Sequence, residues 1–215
     1  VVREIADRLL DSITARKAVA EGRSKSSDIV SIRNQLEDSI ALREKTLADI
    51  DLLERIRHLA QTIGNSLKCG GKVIFAGNGG SFADAQHLAA EFVGRFMMER
   101  EPLSAVCLGT NCSLSTAVGN DYQFDDIFVR ELKALGRAGD IFIVISTSGQ
   151  SNNLISAVKL ATQLGIETYA LLGKGGGQIA HMVPSIIVPS NHTARIQELH
   201  ITVGHIICDL VDAQL

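Results

Sequence analysis

The sequence predicts an α/β fold in which a parallel sheet is covered by helices on both faces, and three observations carry that prediction. First, five short runs (73–76, 105–108, 141–145, 168–172 and 186–188) are almost continuously apolar. Strands read this way, without alternation, when both of their faces are buried. Second, helical stretches separate the runs, at 81–98, about 125–135, 151–164 and 193–213. Alternating strands and helices build a parallel sheet. Third, two of the runs lead into loops of Gly, Asn, Ser and Thr, at 77–81 and 146–151. Both loops fall at the carboxyl edge of the sheet, where ligands sit in such folds.

The elements come in order. In residues 1–20, Ile5, Leu9 and Ile13 stand at helical spacing and predict an amphipathic helix. Residues 22–27 are polar and read as a linker, with Asp28 as a cap for the next helix. From 29 to 67 the pattern is helical, in two helices, with Leu36, Ile40, Leu47, Ile50, Leu53, Ile56 and Leu59 on the apolar stripes. After Gly70-Gly71 the strand–helix alternation begins. The expected organisation is an N-terminal helical extension, 1–27, and a main domain, 28–215. There is no internal repeat and no low-complexity segment.

Composition excludes several function classes. With 46% hydrophobic and 21% charged residues, the chain fits an ordinary globular domain with a sizeable core. A formal net charge of −3, 4% aromatics and no Trp give no reason to expect nucleic acid as a partner. No run approaches the roughly 18 apolar residues of a membrane span, and the first residues form no signal-peptide core. The expectation is a protein without a membrane partner. The four cysteines, at 69, 107, 112 and 208, make no C-x-x-C pair. They read as reduced thiols, which fits the cytoplasm.

The chemistry concentrates at the two loops. Gly77-Asn78-Gly79-Gly80-Ser81 joins a strand to a helix. Glycines there permit tight turns, and the helix N-terminus offers free N–H groups and partial positive charge to an anion. Ser146-Thr147-Ser148-Gly149-Gln150-Ser151 supplies hydroxyls in the same position. Neither loop carries the Lys of a nucleotide-binding P-loop or the G-x-G-x-x-G dinucleotide fingerprint, so a small phosphate ester is favoured over a nucleotide. His87 and Glu91 are i and i+4, hence about 40° apart and roughly 6 Å along one helix. Gln197 and His205 in the last helix are about 80° and ~12 Å apart. His, Glu, Gln and His form a mixed N/O donor set that suits Zn²⁺ or another borderline divalent ion. By spacing alone this is a weak metal signal. His58, His181, His192 and His200 have no comparable context and read as surface or packing residues.

With these segments in hand the chain resembles the sugar isomerase (SIS) domain family, in its phosphoheptose isomerase branch. The matching segments are G-N-G-G-S-F-A-D-A-Q-H-L-A-A-E-F-V-G-R-F at 77–96, G-N-D at 119–121, S-T-S-G-Q-S at 146–151 and R-I-Q-E-L-H…H at 195–205. The glycine loop and S-T-S-G mark the wider family; H-x-x-x-E and the later Gln and His mark the branch. The resemblance covers about 28–213. It implies a three-layer α/β/α sandwich with a five-stranded parallel sheet of flavodoxin-like type, and a homotetramer with sites at subunit interfaces. It implies a phosphate site formed by Asn78, Gly79, Gly80, Ser81, Ser146, Thr147, Ser148 and Ser151. Arg95, Asn120, Asp121 and Gln197 would line the substrate site. One divalent ion, usually zinc, would be held by His87, Glu91, Gln197 and His205, with Glu91 and His205 as the proton-transfer pair. The implied reaction converts sedoheptulose 7-phosphate to D-glycero-D-manno-heptose 7-phosphate, at the start of nucleotide-activated heptose biosynthesis such as that of lipopolysaccharide.

Three features depart from the family pattern. Residues 1–26 have no family counterpart, Ala194 stands where some relatives carry an acidic residue, and Phe82 replaces a small residue in the phosphate loop. Two alternatives stay open: a non-catalytic SIS module that binds a phosphosugar or a protein such as a replication initiator, and an isomerase for another phosphosugar.

Overall fold

The structure is a computed structural model and describes residues 25–215. The helix expected over 1–20 lies outside the described residues. The described residues divide into two units after Ala41. The described part of the first unit is entirely helical. Helix α1 (Lys25–Leu47) begins there and ends in the second unit. Lys25, Ser26 and Ser27 therefore belong to a helix and not to the expected linker. No Gly or Pro interrupts them, and Asp28 lies in the first turn, where its charge favours the helix N-terminus. On α1 the side chains of Ile29, Val30, Ile32, Leu36 and Ile40 are exposed.

The second unit continues with α2 (Ile50–Lys68), β1 (Val73–Gly77), α3 (Gly80–Val93), β2 (Ala105–Cys107), α4 (Cys112–Asp121), α5 (Ile127–Leu135), β3 (Ile141–Ser146), α6 (Asn152–Gln163), β4 (Glu167–Leu172), β5 (Ser185–Ile187) and α7 (Thr193–Asp212). A sheet of five strands runs in the order β2-β1-β3-β4-β5, with every neighbouring pair parallel. The α/β expectation and its five strands are thus observed, with one or both ends of every strand shifted by one residue.

Successive strand residues point to opposite faces, which explains why the runs lack polar alternation. Val73, Phe75, Ile141, Ile143, Ile145 and Leu171 pack with Leu59 and Ile63 of α2, Leu88 and Phe92 of α3, and Val203 and Ile207 of α7. Ile74, Ala76, Phe142, Val144 and Leu172 face Val118 of α4, Phe128 and Leu132 of α5, and Leu154 and Val158 of α6. The result is two helical layers around one sheet.

Two helical expectations need correction. The helix predicted over 81–98 ends at Val93, because Gly94 leaves helical geometry and its N–H closes the last turn onto Ala90 O. Residues 112–121, read only as a G-N-D motif, form α4. Asn111 caps it by accepting from Leu114 N–H at 3.1 Å. Its Ser, Thr and Gly content gives a weak helix pattern, and the cap was the signal available in the sequence.

The packing reading of His200 is sharper than expected. The side chain is 1% exposed, and Nε2 lies 3.0 Å from Leu172 O. His58 packs edge-on to Tyr169, with ring centroids 6.3 Å apart. Burial lowers the His200 pKa from 6.5 to about 4, opposed in part by the bond to Leu172 O. The unfolded chain takes up this proton below about pH 6.5, whereas the folded chain does so only near pH 4. Conformational stability attributable to His200 is therefore lost as pH falls through that window. Urea denaturation from pH 6.5 to 4 will show a decline steeper than that of His200→Gln by about 3 kcal/mol; parallel curves for the two proteins would remove this role.

Candidate active site

The strand order decides where the site lies. Connections leave β1 toward β2 and β3 toward β4, so the chain diverges between these two neighbours and a crevice opens at their carboxyl ends. Both loops singled out in the sequence border it. Gly77 closes β1, and Gly79, with φ 56°, precedes the first turn of α3. Ser146 closes β3, and Ser151 precedes α6. Helix α2 is capped by the Asp49 carboxylate and α4 by the Asn111 side chain. Neither α3 nor α6 begins with a side-chain cap. Their initial N–H groups suit an anion.

The second loop keeps its hydroxyl protons available. Gly149 N–H donates to Ser146 Oγ at 3.0 Å, and Gln150 N–H donates to Ser148 Oγ at 3.3 Å. Each oxygen accepts from the backbone, and each O–H can still donate. Ser81 and Ser146 are buried, while Thr147, Ser148 and Ser151 line the partly open part of the crevice. Asn78 does not stand alone: its carboxamide is paired with that of Asn153, a residue the sequence reading did not select.

On α3, His87 follows the first loop by about one and a half turns. His87 Nε2 lies 3.3 Å from Glu91 Oε1 and 2.9 Å from His205 Nε2 of α7. Among the described residues, His87, Glu91 and His205 each offer one ligand atom, and these atoms lie within 4.8 Å of one another. Four ligands about 2.0–2.1 Å from a central ion stand about 3.4 Å apart in a tetrahedron. Two imidazole nitrogens and a carboxylate at these separations fit a metal ion. Gln197, about two turns before His205 on α7, lies against the glycine loop. Its carboxamide occupies the space a side chain at Gly80 would fill.

Several residues missed in the sequence hold this arrangement. Gly204, beside His205, lets α7 press on Leu88, beside His87; a methyl group at 204 would lie 2.6 Å from both Leu88 δ-carbons. Phe96 stacks on His205, with ring centroids 5.4 Å apart and 26° between planes. Arg100 ties the ends of the two helices together. Its Nε donates to Asp212 Oδ1 at 2.7 Å, and its terminal nitrogens donate to Phe92 O at 3.0 Å and Glu91 O at 3.1 Å. One turn before His87, burial pushes the Asp84 carboxyl up, and His87 pulls it down.

The remaining predicted residues are less enclosed. Arg95 lies past the end of α3, exposed, with Nε 3.4 Å from Glu99. Asn120 and Asp121 are exposed at the end of α4 and bonded to each other at 2.8 Å. Ala194 lies in the first turn of α7. Phe82, the large residue at the start of α3, packs against the core and reaches toward Gly109.

A doubly wound sheet with two loops suited to an anion at its switch point, and a His and Glu group on the helix that follows one of them, defines the class of α/β proteins built to take small phosphorylated ligands. The comparisons agree. Residues 37–173 match the SIS domain. The chain is 45% identical over 185 residues to a phosphoheptose isomerase of Clostridium acetobutylicum, an alignment covering 86% of this chain and 94% of that one. Its structure matches that of a phosphoheptose isomerase from Francisella tularensis with a TM-score of 0.83, at 38% identity over 86% of this chain and 98% of that one. A phosphoheptose isomerase from Neisseria gonorrhoeae matches with a TM-score of 0.80, at 42% identity, covering 85% and 97% of the two chains. The chain belongs to the SIS domain family and, within it, to the phosphoheptose isomerases.

Two outcomes are expected from the helix contacts. Arg100→Ala leaves the Asp212 carboxylate, 2% exposed, without its cation, and will destabilise the fold by about 3–5 kcal/mol, whereas Arg100→Leu with Asp212→Leu will cost far less. Equal losses in urea titrations of the two proteins would contradict this. Gly204→Ala overpacks the contact with Leu88, which is 2% exposed, at about 1–3 kcal/mol. It will also lower the affinity for a divalent ion, measured by competition with a chromophoric chelator; unchanged affinity would separate Gly204 from the spacing of His87 and His205.

Proposed function

We propose that this chain is a sedoheptulose 7-phosphate isomerase that forms D-glycero-D-manno-heptose 7-phosphate by proton transfer through an enediol. The observation that carries this reading is the meeting of His87, Glu91 and His205 a short way along α3 from the glycine loop. The relatives named as phosphoheptose isomerases support the substrate. In this reading the loops at 77–81 and 146–151 hold the phosphate, so that binding energy remote from the reacting carbons positions them. Glu91 removes the proton from C1 and returns it to C2. His205 moves a proton between the two sugar oxygens. Arg95, Asn120 and Asp121 contact the sugar chain.

His87, Glu91, Gln197 and His205 would hold one zinc ion, which when bound supplies positive charge that stabilises oxyanions in the site. The two nitrogens and two oxygens of this set support zinc over harder cations. Ligation weakens a carboxylate as a base, so proton transfer by Glu91 belongs to a state in which it faces the sugar.

The side chain of His87 is 48% exposed, open for a residue of a completed metal site. Val93, Met97, Met98 and Ile206, close to it in the chain or next to His205, are exposed as well. A second copy of the chain covering this side accounts for both, and we read the working form as a homotetramer with sites at subunit interfaces. Among the described residues no helix is long and apolar enough to cross a membrane, which is compatible with a cytoplasmic enzyme supplying nucleotide-activated heptose, for lipopolysaccharide among other glycans. The catalytic domain is assigned to 28–215 and the extension to 1–27.

The test is incubation with sedoheptulose 7-phosphate, with and without a chelator, followed by NMR. Conversion to a heptopyranose 7-phosphate that stops on chelation is the expected result. No conversion by folded, metal-loaded protein would turn the assignment to a phosphosugar-binding module or an isomerase of another sugar. Glu91→Gln will lower kcat by about 10²–10⁴; full turnover in a folded, metal-loaded variant would rule out its role as base.

A further inference from the structure

The two loops at the switch point come from strands far apart in the chain, and one pair of side chains joins them directly. Asn78 Nδ2 donates to Asn153 Oδ1 at 2.9 Å, and Asn153 Nδ2 donates to Asn78 Oδ1 at 2.9 Å. Asn153 Oδ1 also accepts from Leu154 N–H at 2.9 Å, in the first turn of α6. Asn78 lies in the middle of the glycine loop, while Asn153 follows the hydroxyl loop and is 1% exposed.

This reciprocal pair has a chemical requirement. A carboxamide is both donor and acceptor, so two of them close a ring of two hydrogen bonds. A carboxylate at either position would set two acceptors against each other. The Asn153 half of the ring is buried and Asn78 is partly so, so leaving the Asn153 carboxamide without its partner carries a desolvation cost. The glycine loop has little else to fix it: residues 77, 79 and 80 have no side chains, and α3 begins without a side-chain cap. The β1–β3 ladder sets the strand ends, with Gly77 opposite Ile145. Beyond that point the Asn78–Asn153 pair links the glycine loop to the start of α6, directly after the hydroxyl loop.

We infer that Asn153 is a positioning residue for phosphate: through Asn78 it fixes the separation of the glycine loop from the hydroxyl loop, so that N–H groups of one and hydroxyls of the other converge on a single phosphate group. The inference rests on the reading that both loops hold the phosphate. Asn153 itself donates nothing to the substrate. Its effect reaches the phosphate through the loop it holds.

The experiment measures competitive inhibition by inorganic phosphate, together with KM and kcat for sedoheptulose 7-phosphate, in the full-length metal-loaded protein and in Asn78→Ala, Asn153→Ala and the double variant. Each single variant is expected to raise the phosphate Ki and the substrate KM about tenfold. Because the pair acts as one unit, the double variant will match the singles instead of multiplying their effects. Asn153→Ser provides the same reading if Asn153→Ala does not fold, since a serine side chain is too short to reach Asn78. If phosphate competes with the wild-type protein but its Ki changes less than twofold in a folded Asn153 variant, the positioning role is overturned. Multiplicative effects in the double variant overturn it as well. If phosphate does not compete with the wild-type protein at all, the two-loop reading fails, and the inference with it.

Discussion

The parallel pairing of β1 with β3 is the constraint on which the rest of the molecule depends. These strands are separated in the chain by α3, β2, α4 and α5, yet they run side by side from Val73 opposite Ile141 to Gly77 opposite Ile145. Their connections leave in opposite directions, so the helices that follow them, α3 and α6, lie on different faces of the sheet. Both helices begin at the same edge. Two sets of uncapped N–H groups and their partial positive charge thus converge on one crevice without a single cationic side chain in either loop. A strand order that separated β1 from β3 would leave the same two loops unable to share a ligand.

A second constraint is the contact between α3 and α7. His87 and Glu91 are placed by helical spacing alone, but His205 comes from 118 positions later than His87. It reaches them because Gly204 allows close approach at Leu88 and because Arg100 binds both helix ends. The Arg100–Asp212 pair is nearly buried and adds little net stability over apolar replacements, but half of it alone is costly. What it contributes is register. It bonds to the carbonyl oxygen of Glu91 itself, so the helix end that carries a catalytic candidate is held by the same guanidinium that anchors α7.

These two constraints meet at Gln197. Its carboxamide, on the helix that also carries His205, lies in the space left by the missing side chain of Gly80, at the end of the glycine loop. Helices α3 and α7 thus carry both the residues beside the glycine loop and the His87, Glu91 and His205 group. In the proposed reaction, a phosphate held by the loops would present the rest of the sugar to the His and Glu side chains.

By itself the sequence determined what is local. Apolar runs without alternation marked the five strands, because a strand buried on both faces has no polar side to reveal. Gly77–Ser81 and Ser146–Ser151 were legible because loops that bind anions need small and hydroxyl-bearing residues, and His87 with Glu91 because one helical turn places them together. Helix α4 escaped because Ser, Thr and Gly weaken its pattern, and the end of α3 was overrun because continuation past Gly94 looked apolar enough. Only the tertiary structure decided the strand order, the meeting of His87 with His205, the Arg100–Asp212 link and the pairing of Asn78 with Asn153. Periodicity records that a residue is buried or that a turn is tight. It does not record which distant residue lies opposite, because that depends on the packing of whole helices and strands against one another.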